Sequence, residues 1–229
     1  MAFLVRSWNL YHGNASPPQR RSFLRQMVAL ASADAPDVLC LQEVPVWAVG
    51  RLAVWSGMTV FPAVARRGLR PVRFAGWVTR LHNGLLRSGV AGQANAILVR
   101  PDHGSRDLGA EQVNDRGVER RVCQAVDVAG TVLIANTHLS SAGHSQRLEL
   151  ERVVAFAKSR ARAGEAVVLA GDLNMRDAQL AGFSSPGPGI DHVLVRGAPA
   201  GTLVVWPEER RLQNGVVLSD HAPVELEVG

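Results

Sequence analysis

The amino-acid sequence predicts an α/β protein in which two β-sheets pack face to face and helices cover the outside. Short apolar runs typical of buried strands recur along the chain, and amphipathic helical patterns separate only some of them. Helices and strands therefore mix without the strict alternation of a single doubly wound parallel sheet. With 229 residues, of which 47% are hydrophobic, the chain is long enough for one sizeable core, and we expect a single domain over residues 1–229.

The first half of the chain is predicted to begin with strand, helix, strand and helix. A Gly, Asn, Ser and Pro segment at 13–18 separates the first two, and a turn at 34–37 precedes the second strand. A stretch rich in arginine and glycine then shows weak periodicity. The predicted elements are a strand at 3–9, a helix at 19–32, a strand at 38–42 that ends at Glu43, a helix at 45–56, and a loop with short strands at 65–91.

The second half is predicted to contain most of the strands and one long helix. Residues 128–131 predict a hairpin, and Gly164 supplies a helix C-terminal stop. The predicted elements are strands at 94–100, 117–128 and 131–138, a helix at 145–163, and strands at 166–170, 190–195, 202–206 and 222–228.

Nearly every strong apolar strand is followed or preceded by a particular polar residue. Strand ends that converge on one rim of a sandwich place distant side chains in a single cleft. Carboxylate and amide oxygens suit Mg²⁺ or Mn²⁺, and histidines add acid–base or electrostatic chemistry, so the combination indicates phosphoester cleavage. The residues concerned are Asn9, Glu43, Asn136, His138, Asp172, Asn174, Asp191, His192, Asp220 and His221.

The positive charge of the chain is concentrated in one segment. The net charge is +5, yet residues 45–101 contain eight arginines and no Asp or Glu, which leaves the remainder at net −3. Such a field attracts polyanions and predicts a phosphate-bearing substrate. The same segment carries aromatic residues that could stack on bases. A solvated surface enriched in arginine by codon bias stays the alternative, although it does not account for the missing acids.

The cellular compartment is predicted from the cysteines and the N-terminus. Cys40 and Cys123 lie in apolar stretches with no metal-ligand spacing, which favours a reducing compartment. Residues 1–6 resemble a strand and not a signal peptide, and no apolar run reaches the length of a membrane span. We expect a cytoplasmic protein without stable membrane association. Neither a serine-hydrolase elbow nor a Walker glycine–lysine loop is present.

Six short motifs resemble, in their order, the signature blocks of the endonuclease/exonuclease/phosphatase superfamily. They span residues 8 to 223, and the ordered set is far more specific than any one block. The resemblance implies a four-layer α/β sandwich, with two packed mixed β-sheets flanked by helices, and a metal-dependent phosphoesterase with one main Mg²⁺ or Mn²⁺ site. The motifs are Trp8-Asn9-Leu10, Leu41-Gln42-Glu43-Val44, Asn136-Thr137-His138-Leu139, Gly171-Asp172-Leu173-Asn174, Ile190-Asp191-His192 and Ser219-Asp220-His221-Ala222-Pro223.

The resemblance also implies roles for individual residues. Glu43 would be the strongest metal ligand, with Asn9 and Asp220 beside it. Asp172 would orient or activate the attacking water, and Asn174 would hold a non-bridging phosphate oxygen. The remaining roles that it implies are His221 on the scissile phosphate, polarised by Asp191, and His138 at the leaving group or transition state. Apart from the resemblance, Arg121 and Asn136 are candidates for binding substrate phosphate. Arg120 and Arg121 follow Glu119 at the start of a strand, so that one of them reaches the phosphate or, as the alternative, forms a salt bridge with Glu119. His192 is expected to be a structural neighbour, and His12, His82, His103 and His144 to be surface or loop residues.

The motifs leave the substrate open between three hypotheses. Val44-Pro45 and His138 stand where the abasic-site endonucleases of the superfamily usually have a lysine and a tyrosine, so the chain looks more like the deoxyribonuclease and sphingomyelinase branches. The main hypothesis is a monomeric nuclease or phosphodiesterase acting on nucleic acid. The alternatives are a phosphatase or phosphodiesterase for small or lipid phosphates, and a catalytically silent nucleic-acid-binding module on the same fold.

Overall fold

In the computed structural model of the chain, the described residues are 2–66, 92–115, 119–141, 145–184 and 187–229. Most of the arginine-rich stretch predicted as a loop with short strands lies outside them, as do His82 and His144. Within the described part of the chain, no helix is both long and apolar enough to cross a membrane.

The first sheet has six strands and is assembled from both ends of the chain. Its order is β11-β14-β1-β3-β5-β4, with β1 parallel to β3 and antiparallel to β14. The first and last long strands of the protein are therefore neighbours. The strands are β1 (Phe3–Asn9), β3 (Val38–Val44), β4 (Thr59–Arg66), β5 (Gln93–Val99), β11 (Val204–Val205) and β14 (Val224–Val228).

The second sheet has five strands from the middle of the chain. Its order is β10-β9-β8-β7-β6, in which only β8 and β9 run parallel. A small three-stranded sheet, in the order β12-β13-β2, lies apart from both. The second sheet consists of β6 (Ser105–Gln112), β7 (Val122–Val128), β8 (Val132–His138), β9 (Ala166–Asp172) and β10 (Asp191–Arg196), and the small sheet of β2 (Ala15–Ser16), β12 (Leu212–Gln213) and β13 (Val216–Leu218).

The two large sheets pack through alternating side chains. In β1, Val5 points into the inter-sheet core, where it meets Val168 and Val193, whereas Trp8 points to the outer face. Successive side chains of a strand point to opposite faces of the sheet, and both faces of these strands are covered. The strands therefore carry apolar residues at successive positions. The inter-sheet core is completed by residues such as Val38, Cys40, Ile97, Val126, Ile134 and Leu226.

Helices cover the two outer faces and complete four layers. Met27 and Leu52 pack with Trp8 on the first sheet, and Val153 and Phe156 pack on the second. The predicted four-layer sandwich of two mixed sheets flanked by helices is therefore confirmed, although the helices are few. They are α1 (Leu24–Ser32), α2 (Leu52–Ser56) and α3 (Ser145–Arg160).

Several predicted boundaries differ from the structure for identifiable reasons. The helix predicted at 19–32 begins only at Leu24, because the Phe23 N–H donates to the Gly13 carbonyl. The helix predicted at 45–56 divides into a 3₁₀ segment, Val46–Arg51, and α2, in a stretch that contains Gly50 and β-branched residues. Strand β6 was not predicted, since its side chains are largely exposed and carry no apolar alternation.

Candidate active site

The predicted site residues come from the same end of both large sheets. Asn9 ends β1 and Glu43 lies near the end of β3, while His138 and Asp172 end the parallel pair β8 and β9. Asp191 begins β10 opposite Asp172. Because parallel neighbours end at the same edge, the fold brings these side chains together where the two sheets meet. The site is completed by Asp220 and His221, which precede β14.

Asp172 lies at the centre of the site and is almost fully buried. Its Oδ2 accepts a hydrogen bond from Asn9 Nδ2 at 3.0 Å, and its Oδ1 accepts one from the Asn174 N–H at 2.9 Å. Burial and repulsion from Asp191 raise the pKa of Asp172 to about 6, although His221 and the two hydrogen bonds oppose this. Asp172 is therefore a carboxylate at neutral pH with enough basicity to accept a proton.

Gly171 allows β9 to bring Asp172 to this position. Its φ is 142°, and a Cβ at this residue would lie 1.9 Å from the carbonyl oxygen of Thr137 on β8. Any side chain here would push the two parallel strands apart. Gly171 is therefore required by the close approach of the β8 and β9 backbones, whatever part the motif has in catalysis.

His221 forms a pair with Asp191 across the two sheets. His221 Nδ1 lies 2.8 Å from Asp191 Oδ2, and its Nε2 lies 3.8 Å from Asp172 Oδ2 and 4.0 Å from Asp220 Oδ1. Burial disfavours a charged imidazole, but the hydrogen bond to Asp191 and the charges of all three aspartates prevail and raise the pKa of His221 to about 9. His221 is therefore an imidazolium at neutral pH, with Nε2–H directed at the cleft.

The loop before β14 is held so that His221 faces Asp191. The Ser219 hydroxyl donates to the Asn9 carbonyl at 2.7 Å and accepts the His221 N–H at 3.1 Å. Trp8 Nε1 donates to the His221 carbonyl at 2.9 Å. Ser219 has a φ of 61°, a conformation unusual for serine that these bonds maintain.

Glu43 is presented by an irregularity in β3. The pairing of β3 with β5 shifts register between Leu41 and Val44, and Glu43 itself has a φ of 52°. Its Oε2 lies 3.1 Å from His12 Nε2, and its Oε1 lies 3.9 Å from His138 Nδ1. Burial raises the pKa of Glu43, and hydrogen bonding with Asn9 and the charge of His221 oppose the shift.

His138 is the neutral counterpart of His221. Burial and the positive charges of Arg121, His221 and His12 hold the pKa of His138 well below its usual range. Its Nε2 lies 3.4 Å from Asp172 Oδ2. The structure therefore holds two imidazoles of opposite protonation state beside one carboxylate, an arrangement typical of acid–base sites.

Asn174 and Arg121 lie beside this group. Asn174 Nδ2 donates to the Leu139 carbonyl at 2.9 Å, which leaves its second amide N–H for another acceptor. Arg121 donates to Glu119 Oε2 at 3.3 Å, so the salt bridge that we gave as the alternative does form. The Arg121 charge nevertheless reaches Glu43 and His138, since it lowers the pKa of both.

Asn136 lies between the sheets and not in the cleft. Its Oδ1 accepts from Gln42 Nε2 at 2.8 Å, and its Nδ2 donates to the carbonyls of Leu41 and Ala96, both at 3.1 Å. The residue is fully buried. These bonds use the amide to clamp the two sheets together, which corrects the prediction that Asn136 binds substrate phosphate.

Two further histidines differ in role. His192 is buried, with Nε2 2.7 Å from the Met175 carbonyl and Nδ1 accepting the Gly187 N–H, so it is the structural neighbour that we predicted. His12, predicted to be a surface or loop residue, is instead buried against Glu43. No motif spacing marks His12, because the contact depends on an irregular loop after β1.

A cavity of about 350 Å³ opens beside the Asp191–His221 pair. Its lining combines apolar residues with Arg176 and the carboxylates of Asp191 and Asp220; Pro188, Val205 and Ala222 are among the apolar ones. The cavity therefore has one arginine and two aspartates in its wall and adjoins the imidazolium. This arrangement suits part of a substrate next to the reacting phosphate.

Two adjoining sets of side chains, with no member in common, are candidates for holding a cation. Ligand atoms of Asp172, Asp191 and His221 lie within 4.8 Å of one another, but His221 could bind a cation only after losing a proton. The predicted set, Asn9, Glu43 and Asp220, adjoins them. Together they bring four carboxylates into one partly buried cleft, and this excess of hard negative oxygens suits a divalent cation.

The comparisons with known proteins agree with this geometry. A profile of the Endonuclease/Exonuclease/phosphatase family, whose members hydrolyse phosphoesters, matches residues 7–221. No curated protein sequence matches the chain.

Solved structures resemble the chain over its full length. An endonuclease/exonuclease/phosphatase from Beutenbergia cavernae has a TM-score of 0.70 at 20% identity, over 99% of this chain and 71% of that one. A humanized D. rerio TDP2 has a TM-score of 0.68 at 17% identity, over 100% and 99%. The endonuclease/exonuclease/phosphatase from Bacteroides vulgatus has a TM-score of 0.72 at 14% identity, over 100% and 99%. At these identities the structures show the shared fold, and together with the family profile they establish that this chain belongs to the endonuclease/exonuclease/phosphatase family.

Proposed function

We propose that this protein is a phosphodiesterase of the nuclease type, which hydrolyses phosphoester bonds in nucleic acid with Mg²⁺ or Mn²⁺. The observation that supports this most directly is the cluster around Asp172. There, a neutral imidazole and an imidazolium each lie within 4 Å of one basic carboxylate at the junction of the two sheets: His138 Nε2 is 3.4 Å and His221 Nε2 is 3.8 Å from Asp172 Oδ2.

The cation would be held by the oxygens of Glu43, Asn9 and Asp220. Glu43 is buried with a raised pKa, and its charge is repelled by Asp220, so a divalent cation would relieve an unfavourable arrangement. Asp220 is the exposed member, with 40% of its side chain accessible, and would complete the site from the solvent side. When bound, the cation would polarise the phosphoryl oxygen and offset negative charge in the transition state.

Asp172 would orient the attacking water and take its proton. Asn9 and Asn174 fix the carboxylate by one hydrogen bond to each oxygen, so little reorganisation is needed when the water is deprotonated. Asn174 would use its remaining amide N–H on a non-bridging phosphate oxygen.

The two histidines would act on the phosphate from their different protonation states. His221, charged and aligned by Asp191, would stabilise the negative phosphate through Nε2–H. His138, which is neutral, would hydrogen-bond near the leaving oxygen, and the Arg121 charge behind it would add to the positive potential.

Nucleic acid is supported as the substrate by the charge pattern. The chain has a net charge of +5, and the acid-free segment 45–101 holds eight arginines. A specific observation also favours the second candidate, a phosphatase or phosphodiesterase for small or lipid phosphates. The cavity beside His221 has apolar residues, Arg176 and the carboxylates of Asp191 and Asp220 in its wall, which suits a compact phosphoester group bound together with a cation.

Cellular context forms part of the same proposal. Cys40 and Cys123 are both buried and free, which fits a reducing cytoplasm. We propose a monomer without stable membrane association.

A metal-by-substrate hydrolysis panel tests the proposal. Wild-type protein with Mg²⁺ or Mn²⁺ should cleave single- or double-stranded nucleic acid, and Asp172→Asn should lose at least about 100-fold in kcat. The matched control is Asp177→Asn, at an exposed aspartate nearby, which should behave as wild type.

The substrate arms of the panel separate the candidates. Cleavage of a small phosphodiester with intact DNA and RNA would replace the nucleic-acid proposal with the second candidate. Binding of DNA that weakens steeply with salt but never leads to cleavage would favour the silent binding module.

A further inference from the structure

We propose that His12 is a positioning residue that orients the Glu43 carboxylate for cation binding. This inference rests on the proposed function, because it assigns a task within the same metal site. His12 Nε2 lies 3.1 Å from Glu43 Oε2, and only 6% of the His12 side chain is exposed. At this ion-pair distance an Nε2–H of His12 would attract the carboxylate, which has no proton of its own to offer.

The His12 contact distinguishes the two Glu43 oxygens. Oε2 is engaged by His12, whereas Oε1 faces His138 Nδ1 at 3.9 Å, which is too long for a hydrogen bond. Oε1 is therefore the oxygen left for a cation. A free glutamate side chain would sample several rotamers, and the His12 contact, together with hydrogen bonding from Asn9, limits that freedom.

The loop that carries His12 is built at a conformational cost. Tyr11 and His12 have φ values of 48° and 53°, in the left-handed region that non-glycine residues rarely adopt, and Gly13 follows at 83°. A Cβ at Gly13 would lie 2.8 Å from Ser22 Oγ, so the loop packs closely against the residues before α1. Without this left-handed path, His12 would not turn back onto β3.

Hydrogen bonds hold the loop in this strained form. Asn14 Nδ2 donates to the Tyr11 carbonyl at 2.7 Å, and the Gly13 N–H donates to the Leu10 carbonyl at 2.7 Å. Asn9 Oδ1 accepts the Tyr11 N–H at 3.0 Å, while the Asn9 amide donates to Asp172. One asparagine thus couples the His12 loop to the central carboxylate, and strain held in place by such bonds is typical of functional sites.

This arrangement has the form of an outer-sphere contact to a metal ligand. Groups that hydrogen-bond a ligand set its orientation, and their loss typically weakens metal affinity or activity by about 10–100-fold. A purely structural histidine would instead change the stability of the loop and leave the affinity of the folded protein unchanged.

Two substitutions separate side-chain reach from backbone conformation. His12→Asn suits the left-handed backbone, because asparagine tolerates it, but its amide is too short to reach Glu43. His12→Gln places an amide N–H near the position of Nε2 and should restore a polar contact with Glu43. The control pair is His103→Asn and His103→Gln, because His103 Nε2 makes the same kind of contact with Asp37, at 2.6 Å, away from the site.

The experiment is a Mn²⁺ titration of the purified full chain, followed by electron paramagnetic resonance, with the folded fraction checked by circular dichroism. We expect His12→Asn to bind Mn²⁺ about 10–100-fold more weakly than wild type, and His12→Gln to recover most of the affinity. Both His103 variants should bind as wild type.

Equal Mn²⁺ affinity in wild type and folded His12→Asn would overturn the inference while leaving the proposed function intact. An equal loss of Mn²⁺ affinity in His12→Asn and His12→Gln would also overturn it, because the length of the side chain at position 12 would then make no difference. Absence of Mn²⁺ binding to wild type itself would contradict the proposed function, and the His12 inference with it.

Discussion

Asp191 Oδ2 and His221 Nδ1, which lie 2.8 Å apart, join the second sheet to the first across the candidate site. Asp191 begins β10, and His221 lies just before β14. This one hydrogen bond both aligns the imidazole and keeps it charged, so the protonation state of the site depends on how the sheets are docked.

Replacing Asp191 with asparagine should make His221 easier to deprotonate. The hydrogen bond and charge of Asp191 are the main causes that raise the pKa of His221 to about 9, and without them burial favours the neutral ring. The alkaline limb of the kcat/KM–pH profile, expected near 9 in wild type, should move down by about 1–3 pH units. NMR titration of the His221 ring in metal-free protein checks this directly, and an unmoved titration would show that Asp191 does not set the charge.

The stability of the metal-free protein should fall as pH rises towards 9. Because the folded pKa of His221 lies above its unfolded value of 6.5, its contribution is fully present below pH 6.5 and is lost as pH passes through 9. The loss should be roughly 3 kcal/mol. Asp172 acts in the same direction between pH 3.8 and about 6, because its folded pKa is also raised. Urea unfolding at a series of pH values, compared with His221→Asn, should show the upper part of this slope only in wild type.

Glu43→Gln should stabilise the metal-free protein and abolish its response to metal. Burial raises the pKa of Glu43, so the buried charge costs stability that a neutral amide avoids. We expect the Tm without metal to rise by about 2–4 °C, corresponding to roughly 1 kcal/mol. Added Mn²⁺ should raise the Tm of wild type but not of the variant. A variant that melts lower than wild type without metal would show that Glu43 serves mainly to hold its neighbours.

Asn136→Leu should destabilise the fold by about 2–4 kcal/mol, because it removes three buried hydrogen bonds, two to the Leu41 and Ala96 carbonyls and one from Gln42. Asn95→Leu, which removes one buried hydrogen bond to Val122, should cost less. Chemical denaturation measures both. If Asn136→Leu raised KM without loss of stability, Asn136 would be a substrate-binding residue, as the sequence predicts.

Arg176→Ala should raise KM about fivefold with little change in kcat, since Arg176 lines the cavity and its guanidinium donates to the Pro188 carbonyl at 3.4 Å. Arg147→Ala removes another exposed arginine, outside the cavity lining, and serves as the control. Initial rates over a range of substrate concentrations separate KM from kcat. A fall in kcat with KM unchanged would show that Arg176 acts in the chemical step and not in substrate binding.

The sequence was sufficient for much of the fold and for the location of the site. Residues at strand ends could be recognised because apolar runs stop there, and Asn9, Glu43, His138 and Asp172 are found at one rim. The edge strand β6 was missed, since it is mostly exposed and its pattern is not apolar. Its pairing depends on neighbours that local sequence does not reveal.

Asn136 and His12 show where strand-end reasoning fails. Asn136 and His138 lie on the same face of β8, two residues apart. Since a strand rises about 3.3 Å per residue, Asn136 lies roughly 7 Å below the rim, where it contacts the opposite sheet. Local sequence does not distinguish these depths. His12 reaches Glu43 through left-handed residues, whose placement depends on the packing of the whole loop.

The split origin of the site has a consequence for refolding. The first sheet forms only when β14 pairs with β1, whereas the strands of the second sheet all come from one stretch in the middle of the chain. Neither sheet alone carries all the residues of the candidate site. Recovery of the proposed activity after denaturation should therefore report when the two sheets pack together. Spectroscopic signals of strand formation should recover earlier than catalysis does.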